Sequence, residues 1–263
     1  MSYLYETHLH TCQGSACGTS TGAEHARFYK ELGFQGIFVT DHFFGGNTAV
    51  PRDLPWRERI DRFCAGYEDA LAEGQRIGLD VFFGWEQGYG DDEYLIYGLD
   101  KQWLLNHPEV ETWSRREQLE GIHKAGGCVV QAHPFRTRAY IQHVRIGLLY
   151  CDAAEVANAG NFPFNDAFAL QYARKYALPM TAGSDNHNSA RIQDPSNQIF
   201  GVRLPRRIAC AGEFARMIRS GESFSLHIPD GRFDTDCPQI DSFFLDEQEN
   251  LQPTGRPRPE DWG

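Results

Sequence analysis

The chain has 263 residues, of which 41% are hydrophobic and 23% charged, enough to bury one full-sized core and too apolar for wholesale disorder. The 25 Lys+Arg against 36 Asp+Glu leave a formal charge of −11, and such a surface repels duplex nucleic acid and anionic lipid. No apolar run approaches the roughly 18–20 residues that cross a bilayer, so neither a membrane nor a long nucleic acid is expected as partner. The opening MSYLYETHLH lacks a basic start and an apolar stretch, and is not read as a secretory signal; the expected compartment is the cytoplasm. Seven cysteines, an odd number without regular spacing, read as reduced thiols rather than a disulfide framework. Only four lysines occur (Lys30, Lys101, Lys124, Lys175), so arginine supplies nearly all positive charge and is the better bidentate partner for a phosphate.

In chain order, β-branched and aromatic runs alternate with amphipathic stretches. Strands are expected at Tyr3–His8, Gly36–Thr40, Asp80–Gly84, Tyr94–Tyr97, Cys128–Ala132, Asp152–Val156, Met180–Gly183 and Ile199–Val202. Helices are expected at Gly22–Leu32, Trp56–Ile77, Thr112–Ala125, Asn165–Tyr176 and Ala211–Ser220. In the second of these, Ile60, Phe63, Tyr67 and Leu71 recur at helical spacing. Gly33, Gly78, Gly126 and Gly221 follow four of the helical stretches as C-terminal caps would. Strand alternating with helix implies parallel βαβ units, and seven or eight of them imply a barrel or a doubly wound sheet. Residues 232–263 differ: eight acidic residues, three basic ones and four prolines read as an acidic tail packed loosely on a domain spanning 1–231.

Imidazoles and carboxylates cluster just past the strand-like runs. His8-Leu9-His10 follows the first, Asp41-His42 the second, Glu86 the third, His133-Pro134 the Cys128–Ala132 run and Asp185-Asn186-His187 the Met180–Gly183 run. In parallel α/β folds that end is where sites are built. Residues i and i+2 share a strand face, so His8 and His10 can bind one ion, and Asp185 and His187 stand in the same relation. Asp41 and His42 are adjacent and point apart, so one of them is expected to touch metal. Neutral imidazole suits zinc, iron or manganese, and Glu86 is a hard ligand able to bridge two ions.

Taken in order, HLH, TDH, GWE, AHP and GSDNH make residues 1 to about 226 resemble the PHP (polymerase and histidinol phosphatase) family. The resemblance implies a distorted (β/α)7 barrel in a single α/β domain, two or three divalent metals (Zn, Mn or Fe), and hydrolysis of a small phosphorylated substrate by metal-activated water. It implies His8, His10, Glu86 and Asp185 at the first metal, Glu86 and His133 at the second, and His42 and His187 at the third. Asp41 then resembles a partner that orients His42. The chain departs from the family pattern twice. Where a further His or Asp usually follows HxH stand Ser15 and Ala16, leaving Cys17 as a soft ligand or a small buried thiol. Where a His usually follows the next strand, Asp100 or His107 would have to substitute.

A dianionic ester also needs local positive charge. Arg136 and Arg138 after His133-Pro134, and Arg191 after Asp185–His187, are candidates, each with a surface salt bridge as the alternative role. Asn158 is either a substrate contact or a turn former. Phe43, Phe44, Trp85 and Tyr89 are expected to wall the pocket. His25, His123, His143 and His227 read as surface or packing residues, and Cys12 is not marked as a nucleophile. The competing functions are an amidohydrolase-type enzyme, a non-catalytic metal-binding module and a nuclease. The amidohydrolase reading is disfavoured because no strand run ends in lysine, and the nuclease reading by the acidity.

Overall fold

Thr21 opens the first helix by a capping box: its hydroxyl accepts from the Glu24 N–H while the Glu24 carboxylate accepts from the Thr21 N–H. The same device at Ser114 and Glu117 starts a later helix, and left-handed Gly78 and Gly221 end two others. The computed structural model describes residues 2–254. In chain order these form β1 (Tyr3–Glu6), α1 (Gly22–Glu31), β2 (Gly36–Val39), α2 (Trp56–Phe63), α3 (Ala65–Ile77), β3 (Asp80–Gly88) and β4 (Glu93–Tyr97). Next come α4 (Lys101–Asn106), α5 (Arg115–Lys124), β5 (Cys128–Gln131), β6 (Val144–Ile146), β7 (Ala153–Asn158), α6 (Pro163–Lys175) and β8 (Met180–Gly183). The chain continues through α7 (Pro195–Gln198), β9 (Gly201–Leu204), α8 (Ala211–Ser220), β10 (Ser225–His227), β11 (Ser242–Leu245) and β12 (Leu251–Pro253). No helix among the described residues is long and apolar enough to cross a membrane.

Nine strands form one sheet in the order β10-β9-β1-β2-β3-β4-β5-β7-β8. Past its last strand residue, β8 runs on beside the extension of β1. The Asp185 N–H donates to His8 O at 2.8 Å, and the His10 N–H to Asn186 O at 3.0 Å. These bonds curl the sheet into a nearly closed barrel, the α/β single-domain architecture expected. Its strands carry a nearly continuous apolar content, with Tyr5, Phe38, Leu95, Tyr97, Val130 and Val202 fully buried, as a sheet covered on both faces requires.

Three features depart from uniform βαβ repetition. The segment expected as one helix over Trp56–Ile77 is two, broken at Cys64, just before Gly66 brings α3 against Thr11. β3 extends to Gly88, so Glu86 lies within the strand rather than past it, and β4 returns antiparallel by a short turn, pairing Gly88 with Glu93. β9 and β10 are antiparallel as well. The reversal of β4 matters for the site: its beginning, not its end, stands at the mouth of the barrel.

The C-terminal segment is not loosely laid on. β11 pairs parallel with β6 and antiparallel with β12, burying Ile240 and Leu245. Arg115 donates to Glu249 at 2.6 Å, tying the β11–β12 hairpin to α5. Residues 255–263 of the expected tail lie outside the described residues. All seven cysteines are free thiols, in line with the expectation.

Candidate metal centre

Strand alternation decides which side chains enter the barrel. Glu86 points inward, whereas its neighbour Trp85 points outward into a cluster with Phe43, Phe44 and Phe63. The aromatics expected to wall the pocket therefore form the layer between sheet and helices; Tyr89 lies there too, under the Arg115 guanidinium.

At the mouth the seven predicted ligands meet. His8 Nε2 lies 3.0 Å from His10 Nε2, 3.3 Å from Glu86 Oε1 and 3.5 Å from Asp185 Oδ1, and His10 Nε2 lies 3.1 Å from Asp185 Oδ1. Two ring nitrogens bound to one zinc-like ion at about 2.0–2.1 Å in tetrahedral geometry would stand about 3.3 Å apart, so this spacing fits a shared cation. His133 Nε2 lies 3.1 Å from Glu86 Oε1. His10, His42 and His187 bring ligand atoms within 4.8 Å of one another, with the His10 ring centroid 4.3 Å from that of His42 and 4.4 Å from that of His187. The fit is tested by two buried atoms. His42 Nδ1 and Glu86 Oε2 are 2.7 Å apart, yet neither makes an aligned hydrogen bond with any described protein group. Both are aimed into the space between ligands, where a cation would satisfy them.

Electrostatics say the same. Burial would raise the Glu86 carboxyl, but His8 and His42 outweigh it and hold it well below its ordinary range. Burial likewise opposes the ionised Asp185, and His8 and Arg136 keep it ionised. Buried carboxylates held as anions draw in positive charge. Backbone strain is stored at the same place: His133 has φ +31° and Asp185 φ +54°, left-handed conformations that non-glycine residues adopt where the surroundings impose them.

One ligand candidate was not foreseen. Glu93 Oε1 lies 3.6 Å from His42 Nδ1, and Glu93 Oε2 lies 3.4 Å from His133 Nε2. With His42 and Glu86 it forms a further metal-competent group. It stands where Asp100 or His107 was expected. Those two are carried away because β4 runs antiparallel: Asp100 caps α4 by accepting from the Trp103 N–H, and His107 stacks on the Trp103 ring. The cue for Glu93 was a carboxylate opening a strand after a four-residue turn, which only the hairpin assignment would have exposed.

Around the ligands lies a second layer. Glu155 Oε1 is 2.9 Å from His8 Nδ1, and its other oxygen accepts from the His133 N–H and the Asn158 side chain. Glu6 accepts from the N–H groups of His8 and Ser184 and from the Tyr29 hydroxyl, and burial pushes its carboxyl up to about 7. Both were missed because they sit inside strands rather than past them. Asp41 does not orient the His42 ring. It accepts from the Thr11 N–H, the Thr11 hydroxyl and the Ser15 hydroxyl, and Ser15 Oγ is 3.2 Å from His10 Nδ1. It thus steadies His10 through Ser15.

Of the arginines, Arg136 is at the centre but already engaged: Nη2 donates to Asp185 Oδ2 (2.7 Å) and Asn158 Oδ1 (2.8 Å), and Nε to Asn161 Oδ1 (2.7 Å). None of these bonds uses Nη1. Asn158 is therefore a holder of Arg136 rather than a bare turn former. Arg138 packs its guanidinium over Phe162 and donates to Gly160 O, while Arg191 is exposed at the end of a 3₁₀ turn. Cys17 neighbours His42 and His187; burial raises its thiol, but the two imidazoles outweigh this and bring it to about 6. His25 is buried in packing, 3.0 Å from His10 O. His123, His143 and His227 pair with Asp152, Asp91 and Arg203, away from the ligands, and Cys12 is exposed. Two cavities of about 610 and 620 Å³, both lined by Phe82 and Ala209, contain none of the predicted ligands.

Replacing Glu155 by glutamine is expected to weaken divalent-metal binding about 10–100-fold with little loss of fold, because it removes the carboxylate that fixes the His8 ring. Equilibrium dialysis against manganese checks it, and unchanged affinity would show that Glu155 does not position His8.

Fold and site together define an α/β barrel whose mouth gathers histidines and carboxylates in metal-binding array. A sequence profile described as PHP-associated matches residues 165–192, which run from α6 through Asp185 and His187. No curated protein matches the chain in sequence. Among solved structures, the fold resembles a protein from Bifidobacterium adolescentis described as a candidate metal-dependent phosphoesterase (16% identity over 81% of this chain and 94% of that one, TM-score 0.52). It resembles PsfC from Pseudomonas syringae (17% identity, 89% and 94%, TM-score 0.56). It also resembles a two-domain protein from Bacteroides vulgatus described as containing a predicted PHP-like metal-dependent phosphoesterase (14% identity, 87% and 65%, TM-score 0.61). The profile match is confined to residues 165–192, and the structural likenesses, at 14–17% identity, show a shared fold.

Proposed function

We propose that the protein is a metal-dependent hydrolase that cleaves a phosphate ester of a small soluble substrate. The observation that carries this reading is the shared position of Glu86: one carboxylate joins the group His8, Glu86, His133 to the group His42, Glu86, Glu93. A carboxylate between two imidazole-lined positions is the arrangement of a bridged, multi-metal centre. Divalent cations there (Zn, Mn or Fe) would lower the pKa of water and offset charge developing on a phosphoryl group.

The chain's own residues supply the rest. His8, His10 and Asp185 could hold one cation, His8, Glu86 and His133 or His42, Glu86 and Glu93 others, and His10, His42 and His187 a further one, with His10 shared by the first and the last of these groups. Glu155 and Ser15 fix the His8 and His10 rings so that their Nε2 atoms face the centre. Arg136, locked by Asn158 and Asn161, keeps Asp185 ionised and leaves Nη1 to donate to a phosphoryl oxygen. The net charge of −11 fits a small substrate better than a long nucleic acid.

The test is turnover of a chromogenic aryl phosphate with manganese, zinc or iron. Activity lost on chelation, restored by metal and absent in His10→Ala supports the reading. Turnover of amide substrates with inert phosphate esters would overturn it in favour of an amidohydrolase, and metal uptake with no turnover of any ester in favour of a non-catalytic module.

A further inference from the structure

Residues past the last barrel strand reach the site. After β10 the chain turns at Gly231, with φ +72°, and drives the Arg232 side chain inward over the Phe200 ring. Arg232 Nε donates to Asp166 Oδ2 at 2.8 Å, and Nη2 donates to Asn158 O at 3.0 Å and Asn161 O at 2.9 Å. Asp166 closes the same loop from the other side, accepting from the Asn158 N–H at 3.1 Å and the Asn161 side chain at 2.8 Å. The two asparagines then hold Arg136, and Arg136 holds Asp185.

We propose that Arg232 is a positioning residue for the metal centre: it fixes the 158–161 loop, and through Arg136 the orientation of the Asp185 carboxylate. The proposal rests on the metal-centre reading above and extends it to the C-terminal segment. A guanidinium is needed because two of its nitrogens reach three acceptors on two elements at once, which an ammonium at the end of a flexible stem does not reproduce. A purely structural role would require only that the positive charge offset the buried Asp166 carboxylate, and lysine would then suffice.

The experiment measures Mn²⁺ affinity, by the electron paramagnetic resonance of free Mn²⁺, beside the metal-free melting temperature. Arg232→Lys is expected to bind Mn²⁺ about tenfold more weakly, the low end of effects from residues behind the ligands, with little change in melting temperature. Asn161→Ala, which breaks the chain one link nearer while leaving the Arg232–Asp166 pair in place, is expected to show the same loss. Leu245→Ala, which unpacks β11 without touching this chain, is expected to melt lower with Mn²⁺ affinity unchanged. Parent-like affinity in Arg232→Lys or Asn161→Ala would overturn the proposal. So would affinity that falls in all three variants in step with melting temperature. A parent protein that binds no Mn²⁺ overturns the metal reading, and this inference with it.

Discussion

Glu86→Gln is expected to abolish catalysis, lowering kcat/KM by about a thousandfold or more, while the metal-free protein still folds. The carboxylate touches His8, His42 and His133 and belongs to two of the metal-competent groups, so on the multi-metal reading proposed above a single substitution would take a ligand from more than one cation. Losing the several kcal/mol that metal charge contributes to a transition state corresponds to about three orders of magnitude. Glutamine preserves volume and removes a charge from a cluster that also contains Glu93 and Asp185, so the cavity is not emptied. The second signature is thermal. A ligand at about 100 times its Kd adds roughly 2.7 kcal/mol, which for a chain of this size raises the melting temperature by roughly 5–10 °C. The parent should show that rise with manganese or zinc, and the variant should not. A variant that keeps both the rise and the turnover would remove Glu86 from the centre.

Most of the ligand set was legible because its members directly follow the ends of apolar strands, Glu86 inside β3 being the exception. His8 and His10 leave β1, His42 leaves β2, His133 leaves β5, and Asp185 and His187 leave β8. Polar residues abruptly following an apolar run are visible in one dimension. Glu6 and Glu155 were not, since each lies within a run that propensity reads as strand, and Glu93 was not, since it precedes the apolar run of β4 and only the hairpin brings it to the site. The same limit explains Asp100 and His107. Choosing them assumed a parallel β4, and a short connection of four residues between two β runs, with no two-residue Asn-Gly or Asp-Gly turn, marks the hairpin only weakly.

The closing segment was misread for a different reason. Acidic residues and prolines predict a solvated tail when each residue is weighed alone, but the partners of this segment are far off in sequence: Val144 for Ser242, Arg115 for Glu249, Asp166 for Arg232. Composition carries no information on such pairs. Arg136 shows a related limit. A cation beside a metal motif suggested a phosphate contact, yet most of its donors are committed to Asp185, Asn158 and Asn161 before any substrate arrives.

Gly22→Ala is expected to be the most damaging small substitution in the fold, costing about 3 kcal/mol and lowering the melting temperature by roughly 6–12 °C. Helices α1 and α3 pack closely where Gly22 meets Gly66 and Ala70. A methyl on Gly22 would stand 2.0 Å from Gly66 O and 2.7 Å from Ala70 N, both backbone atoms that no rotamer change can move aside. To relieve the clash α3 must shift, and α3 cannot move far because Gly66 itself lies against Thr11. Thr11 in turn donates twice to Asp41, whose carboxylate fixes Ser15 beside His10. The strain should therefore appear at the metal centre as well as in the melt, as weaker metal binding. Gly33→Ala is the control: its φ is +81° but nothing lies within 4 Å of the added methyl, so only the backbone cost of about 1 kcal/mol is expected, with metal affinity intact. Urea melts and metal titrations of the two variants give the comparison. Equal, small losses in both would mean that the α1–α3 contact is not the close-packed seam that positions the Thr11–Ser15 loop.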